Sequence, residues 1–117
     1  MEWLIPDGSI EDKIVFYVHG GGWTRGGLGF SRNYPLISPL YGDLKDLPSM
    51  LIHAGAREEL IDDILAYAAK ANANGVEVTC KVWRGMFHDF QLMDKASNIS
   101  KQANAEIAQF IKQQLGE

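Results

Sequence analysis

Two runs of mainly apolar residues predict β-strands. The runs cover 14–18 and 50–54, with His53 as the one polar residue of the second, and a glycine follows each of them within two residues. A continuous apolar run bounded by glycine is typical of a strand that is buried on both faces of a parallel sheet. A third, shorter strand is expected at 3–5, where the turn signal Pro-Asp-Gly ends the apolar residues.

A different pattern predicts one more strand, from 76 to 83. Here apolar residues alternate with polar or larger ones, a period of two. The apolar set is Val76, Val78, Cys80 and Val82, and the other set is Glu77, Thr79, Lys81 and Trp83. Alternation of this kind indicates a strand with one wetter face near the edge of a sheet. Trp83 is therefore expected on the wetter face.

Two stripes of apolar residues at helical spacing predict two helices. The first covers 60–69 and is closed by Asn74-Gly75, and the second covers 96–115. Strands that alternate with helices indicate an α/β fold, here a small, mostly parallel sheet of about three to four strands flanked by helices. The stretch 24–48 has neither period and predicts a long irregular loop. A loop of this length in a compact domain is usually functional, and the alternative is a wrong assignment of elements.

The composition describes one globular domain over 1–117. The 117 residues are 46% hydrophobic and 22% charged, enough for a single core and too few for two domains. A net charge of −4 without a basic cluster argues against binding to nucleic acid or to an anionic membrane. No apolar run reaches the ~20 residues of a membrane span, and the first residues lack the pattern of a signal peptide. These features predict a cytoplasmic protein.

The residue types that bind metals do not form a known pattern. The single cysteine, Cys80, excludes an internal disulfide and a multi-cysteine zinc site and is expected to be inert packing. The three histidines, His19, His53 and His88, have no metal-motif spacing relative to it. We therefore expect neither metal nor cofactor. His53 lies inside a buried strand and is predicted to be a hydrogen-bonded core histidine, with a ligand role as the alternative.

The sharpest motif, His-Gly-Gly-Gly-Trp at 19–23, directly follows the apolar run 14–18. Consecutive glycines let the backbone approach a ligand closely with its N–H groups turned outward. Such donors form an oxyanion hole when they point at a developing alkoxide, and the HGGG form is found in lipases and esterases of the α/β-hydrolase fold. The alternative is a glycine-rich turn that ends a strand.

Taken together, the motifs resemble the hormone-sensitive-lipase-like branch of the α/β-hydrolases, a group of carboxylesterases and lipases. The matching segments are EWL–P–G at 2–8, IVFYVHGGGW at 14–23, PLISPLYGDLKDLPSMLIHAGAREELIDD at 35–63 and GMFHDFQLM at 85–93. Their order and their connecting helices also match, so the resemblance covers nearly the whole chain. It implies a reduced α/β-hydrolase fold and hydrolysis of small carboxylic esters by a Ser-His-acid mechanism.

The resemblance also implies roles for individual residues. Gly21 and Gly22 correspond to the donors of the oxyanion hole. Glu58 stands where these enzymes place the acid of the triad, and His88 stands where they place the base. Acid and base each follow a predicted strand, and the carboxyl ends of parallel strands meet at one edge of a sheet. We therefore expect a hydrogen bond between Glu58 and the His88 imidazole.

The chain departs from the family at the nucleophile. No G-x-S-x-G occurs in it, and about nine residues, 26–34, stand where the family has several strands, helices and the nucleophile elbow. This pattern predicts an internally truncated hydrolase with weak or no activity. Ser31, in Gly-Phe-Ser-Arg-Asn, has the form of a degraded elbow and is the candidate nucleophile; the alternative is an ordinary loop serine.

A second function stays open on the sequence alone. A truncated hydrolase could keep the scaffold as a non-catalytic binding or self-association module. The apolar strand at 14–18 would have lost its neighbours in the family's sheet, and an uncovered strand edge invites pairing with another chain. We therefore predict a homodimer.

Overall fold

The computed structural model describes residue 15 and residues 39–116. Its elements are a 3-10 turn (Pro39–Tyr41), β1 (Met50–Gly55), α1 (Ile61–Ala73), β2 (Val78–Trp83), α2 (Phe90–Met93) and α3 (Asn98–Leu115). Both long helices and the two later strands agree with the sequence prediction to within about two residues at most ends. The predicted strands at 3–5 and 14–18, the oxyanion motif at 19–23 and Ser31 lie outside the described residues.

The two described strands pair in parallel. Met50 lies opposite Val78 and Gly55 lies opposite Trp83, and α1 forms the crossover that a parallel pair requires. Both strands therefore end at the same edge of the sheet, where the chain turns into the loops 56–60 and 84–89. The α/β fold predicted from the sequence is confirmed.

Helices cover both faces of this strand pair. On one face, Ala71 of α1 packs with Leu44 and Val76 in a buried cluster that also receives Met50 and Val78 from the strands. On the other face, a second buried cluster joins the end of β2 to α2 and α3, and its members are Trp83, Phe90 and Ala103. The core is therefore two small apolar layers, one on each side of the sheet.

The predicted exposure of the two faces of β2 is wrong at the C-terminal end of the strand. Val82 is 42% exposed, whereas Trp83 is only 7% exposed. The face expected to be wetter is the one covered by α2 and α3, where the Trp83 ring lies 5.7 Å from that of Phe90. On the other face burial declines toward the end of the strand, from Val76, buried just before β2 begins, to exposed Val82.

Local hydrogen bonds set the ends of α3. The Ser97 hydroxyl accepts from the backbone N–H of Ser100 at 3.0 Å, an N-cap. Gly116 ends the helix in the left-handed conformation, with φ of 73°. The buried Ser100 hydroxyl donates to the Phe90 carbonyl at 2.9 Å, which fixes α2, and the loop before it, against α3. Within the described residues, no helix combines the length and apolar character needed to cross a membrane.

Candidate active site

The loops that follow β1 and β2 are joined by backbone hydrogen bonds. Ala56 N–H donates to the Trp83 carbonyl and Arg57 N–H donates to the Met86 carbonyl, each at 3.0 Å. These bonds extend the parallel pairing beyond the strands. They bring residue 58 and residue 88, which are 30 positions apart, to the same edge of the sheet.

Gly55 makes this close approach possible. A Cβ at this position would lie 2.5 Å from the Met86 carbonyl oxygen and 2.7 Å from that of Phe87. Both distances are far below a normal van der Waals contact, and the atoms met are backbone atoms that cannot rotate away. Glycine is therefore required so that the loop carrying His88 can lie against the end of β1.

Glu58 is a buried, anchored carboxylate. Its side chain is only 8% exposed, and its Oε1 accepts a hydrogen bond from the Gly55 N–H at 2.6 Å. The other oxygen, Oε2, lies 3.1 Å from Nδ1 of His88. An ionised carboxylate can only accept, so the hydrogen in this contact lies on Nδ1 of the imidazole. The predicted contact between these two residues is present.

His88 is held by this contact in a more open position, with 29% of its side chain exposed. Its second nitrogen, Nε2, lies 3.2 Å from Oδ2 of Asp89. Two left-handed residues shape the loop: Gly85 has φ of 76° and Asp89 has φ of 53°. A non-glycine residue in that region is uncommon and often marks a functional site.

Two features of this site were not predicted from the sequence. The contact of Asp89 with His88 depends on a backbone conformation that no sequence pattern specified, although its place next to the histidine was a signal. Gly55 was interpreted only as the end of a strand. The other predicted site residues, Gly21, Gly22 and Ser31, lie outside the described residues. Across 39–116, no group of three or more His, Cys, Asp or Glu side chains is placed to hold a metal ion.

The prediction for His53 is wrong in one respect. Its side chain is buried, at 4% exposure, but neither ring nitrogen makes a hydrogen bond within the described part of the chain. Nε2 lies 3.5 Å from Oε2 of Glu106 on α3, and that carboxylate already accepts from Lys81 at 2.6 Å. Burial lowers the pKa of His53; the charge of Glu106 opposes this effect and the charge of Lys81 adds to it.

Cys80 lies half-buried on β2. Burial raises the pKa of its thiol, which disfavours the reactive thiolate. The residue is therefore separate in character from the acid–base pair at the sheet edge.

Comparison with known proteins identifies the family. Residues 27–92 match the family model for the alpha/beta hydrolase fold. The chain belongs to the α/β-hydrolases. Its curated relatives include an esterase of Acinetobacter venetianus, 40% identical over 76 residues, which are 65% of this chain and 25% of that protein. An acetyl-hydrolase of Streptomyces hygroscopicus is 43% identical over 60 residues, or 51% of this chain and 20% of that protein.

Solved structures place this α/β-hydrolase in the hormone-sensitive-lipase-like branch. A hormone-sensitive lipase from a metagenome library has 43% identity and a TM-score of 0.68, over 74% of this chain and 30% of that chain. An esterase/lipase from an uncultured bacterium has 35% identity and a TM-score of 0.69, over 73% and 29%. The chain spans about a quarter of the length of the curated relatives. The matched region contains both Glu58 and His88.

Proposed function

We propose that this chain carries the acid and the base of a carboxylic ester hydrolase, with Glu58 as the acid and His88 as the base. The observation that carries the proposal is the 3.1 Å contact between Glu58 Oε2 and His88 Nδ1. Its burial pattern also fits, because the acid is 8% exposed and the base 29% exposed. A buried carboxylate can orient the imidazole while the imidazole remains accessible to a substrate.

The proposed chemistry follows from this orientation. With a hydrogen on Nδ1, the Nε2 lone pair of His88 takes the proton of an attacking hydroxyl group as its oxygen bonds to the ester carbonyl carbon. The carbonyl oxygen becomes an oxyanion, for which Gly21 and Gly22 are the proposed donors. When the tetrahedral intermediate collapses, the imidazolium returns that proton to the departing alcohol. The Glu58 carboxylate stabilises the imidazolium between these two steps.

The nucleophile is the weak part of this centre, and we propose slow or no turnover. The sequence has no G-x-S-x-G, so the attacking hydroxyl would come from Ser31 or from water. Oxyanion-hole and binding contributions alone sustain ~10³–10⁴-fold acceleration when triad members are removed from a serine protease. A short, activated ester is therefore the substrate on which a residual activity should be measurable.

Hydrolysis of p-nitrophenyl acetate tests the acid–base pair. We expect His88→Ala and Glu58→Gln each to lower turnover by roughly 10²–10⁴-fold, the scale of general acid–base catalysis, or to the buffer rate. Glu59→Gln is the matched control, because Glu59 is the exposed neighbour of Glu58, and should retain the parent rate. Turnover that all three variants retain would contradict the proposal.

A fluorophosphonate reagent tests the nucleophile separately. We expect no stable adduct by mass spectrometry of the intact chain. A stoichiometric adduct mapped to Ser31 would overturn the proposed weakness and identify that serine as the nucleophile. An adduct on another serine would contradict both assignments.

A non-catalytic, self-associating module is the second candidate. Large apolar side chains near His88 in the chain are exposed: Met93 is 75% exposed, Leu92 51% and Phe87 45%. Adjacent exposed apolar residues mark interaction surfaces more often than isolated ones do. Absence of ester turnover together with a mass near twice 13.0 kDa by light scattering would favour this candidate. Met93→Ser should then weaken the dimer, and Leu65→Ser, which alters a leucine 42% exposed on α1, should leave it intact.

A further inference from the structure

His88 lies between two carboxylates. Glu58 approaches Nδ1 from the loop after β1, and Asp89 approaches Nε2 from the imidazole's own loop at 3.2 Å. The left-handed backbone of Asp89, with φ of 53° and ψ of 29°, accompanies this placement of its side chain beside the preceding residue. The ring is thus flanked by an acceptor at each nitrogen.

Helix capping does not account for this aspartate. Asp89 stands at the N-cap position of α2, but its side chain makes no capping hydrogen bond. The helix it precedes has only four residues. Among the residues that the structure describes, its carboxylate contacts His88.

We propose that Asp89 is a positioning residue that favours a proton on Nε2 of His88 and restrains the base. The proposal rests on the proposed function only in taking Nε2 as the reacting atom. The contact thereby favours the imidazole that is protonated at both nitrogens. The imidazole acts as a base after its Nε2 proton is released, which is easier when the Asp89 carboxylate moves aside.

The physical reason is the orientation of the lone pairs. Because Nδ1 carries the hydrogen facing Glu58, a neutral ring would direct the Nε2 lone pair toward an anionic oxygen of Asp89, which is repulsive. A second proton converts that repulsion into attraction. The contact has an ion-pair distance without the alignment of a hydrogen bond, and both side chains are about one-third exposed. The restraint is therefore modest and reversible.

Acylation of histidine by diethyl pyrocarbonate measures this effect without requiring ester turnover. The reagent reacts with neutral imidazole, so its rate at a given pH reports the fraction of His88 that is unprotonated. The full chain would be treated at pH 6 and pH 8, with modification of each histidine-containing peptide followed by mass spectrometry. The His53 peptide reports folding, because that side chain is 4% exposed and should react slowly in every folded variant.

Two substitutions remove the carboxylate with different backbone demands. Asp89→Asn keeps the shape of the side chain and tolerates the left-handed region, and Asp89→Gly removes the side chain and the strain together. We expect both to raise the rate at His88 by about two- to fivefold at pH 6, the scale of a partly exposed ion pair, with a smaller difference at pH 8. Asp94→Asn makes the same charge change at another exposed aspartate of this segment and should leave the rate unchanged.

Three results would overturn the proposal. One is an unchanged His88 rate in both Asp89 variants. Another is an increase in Asp89→Gly alone, which would assign the effect to the backbone and not to the carboxylate. The third is an equal increase in Asp94→Asn, which would show a general effect of net charge. None of these modification rates depends on ester hydrolysis. If the ester assay contradicts the proposed function, the modification rates still test the role of Asp89.

Discussion

Two histidine–glutamate pairs in this small protein have opposite burial. In the pair at the sheet edge, the acid Glu58 is 8% exposed and the base His88 is 29% exposed, with 3.1 Å between them. In the pair on the α3 face, the base His53 is 4% exposed and the acid Glu106 is 31% exposed, with 3.5 Å between them. The same two residue types thus occur with the acid buried in one pair and the base buried in the other.

The difference shows what an acid–base centre requires beyond proximity. Glu58 is anchored by the Gly55 N–H, so its second oxygen is directed at an imidazole that remains partly exposed. Glu106 instead accepts from Lys81 and from Gln102, and its histidine partner is enclosed beside the Trp83 ring, 5.3 Å away. The second pair therefore links β1 and β2 to α3 and offers no accessible base.

The largest expected effect comes from a substitution that disturbs the Glu58–His88 pair and leaves the His53–Glu106 pair in place. Gly55→Ala should destabilise the fold by about 2–3 kcal/mol, because the added Cβ meets the Met86 and Phe87 carbonyls and only a backbone shift relieves the contact. Urea denaturation measures this change. Gly75→Ala is the control: its Cβ would have open space, and the positive φ alone costs about 1 kcal/mol. Equal losses in the two variants would contradict the close approach at Gly55.

Replacing each glutamate by glutamine compares how much the two carboxylates contribute to the free energy of unfolding. Glu58→Gln should lower the free energy of unfolding by about 1–2 kcal/mol, because a buried carboxylate that accepts from Gly55 and His88 is lost. Glu106→Gln, at a partly exposed ion pair, should cost less than about 0.5 kcal/mol. Both are measured by urea denaturation at pH 7.5. A larger loss for Glu106→Gln would reverse the interpretation of the two pairs.

The buried base should make stability depend on pH. Burial lowers the pKa of His53 below its ordinary value near 6.5, so as pH falls the unfolded chain takes up this proton first. Neutral His53 therefore makes its full contribution to the free energy of unfolding above about pH 6.5. This contribution is lost as pH falls through the lower pKa of the folded state. We expect His53→Gln to show a smaller decrease in free energy of unfolding between pH 7.5 and 5 than the parent. Parallel curves for the two proteins would contradict this sign.

The smallest effect concerns the cation beside His53. The charge of Lys81 adds to the lowering of the pKa of His53, so Lys81→Met should reduce the loss of stability at low pH. Methionine keeps an apolar chain near the Trp83 ring, over which the Lys81 ammonium lies at 4.0 Å. The same denaturation series measures the change. If the free energy of unfolding falls more steeply at low pH in Lys81→Met than in the parent, the Lys81 charge does not lower the pKa of His53.

Much of the fold could be predicted from local patterns. The apolar run at 50–54, the alternation at 76–83 and the two helical stripes correspond to β1, β2, α1 and α3. Glu58 and His88 could also be predicted as neighbours, because each follows a strand and parallel strands end at one edge. These features depend on burial and chain direction, which the order of apolar and polar residues encodes.

Tertiary packing decided the depth and chemistry of individual side chains. Alternation along β2 could not show that Trp83 is buried and Val82 exposed, because helices cover both faces of a parallel pair and burial then depends on where each helix lies. The buried ring of His53, whose nitrogens make no hydrogen bond within the described residues, depends on the packing of α3. The contact of Asp89 with His88 depends on a left-handed backbone. Such features arise between elements distant in the chain or from a single φ angle, and residue order by itself determines neither.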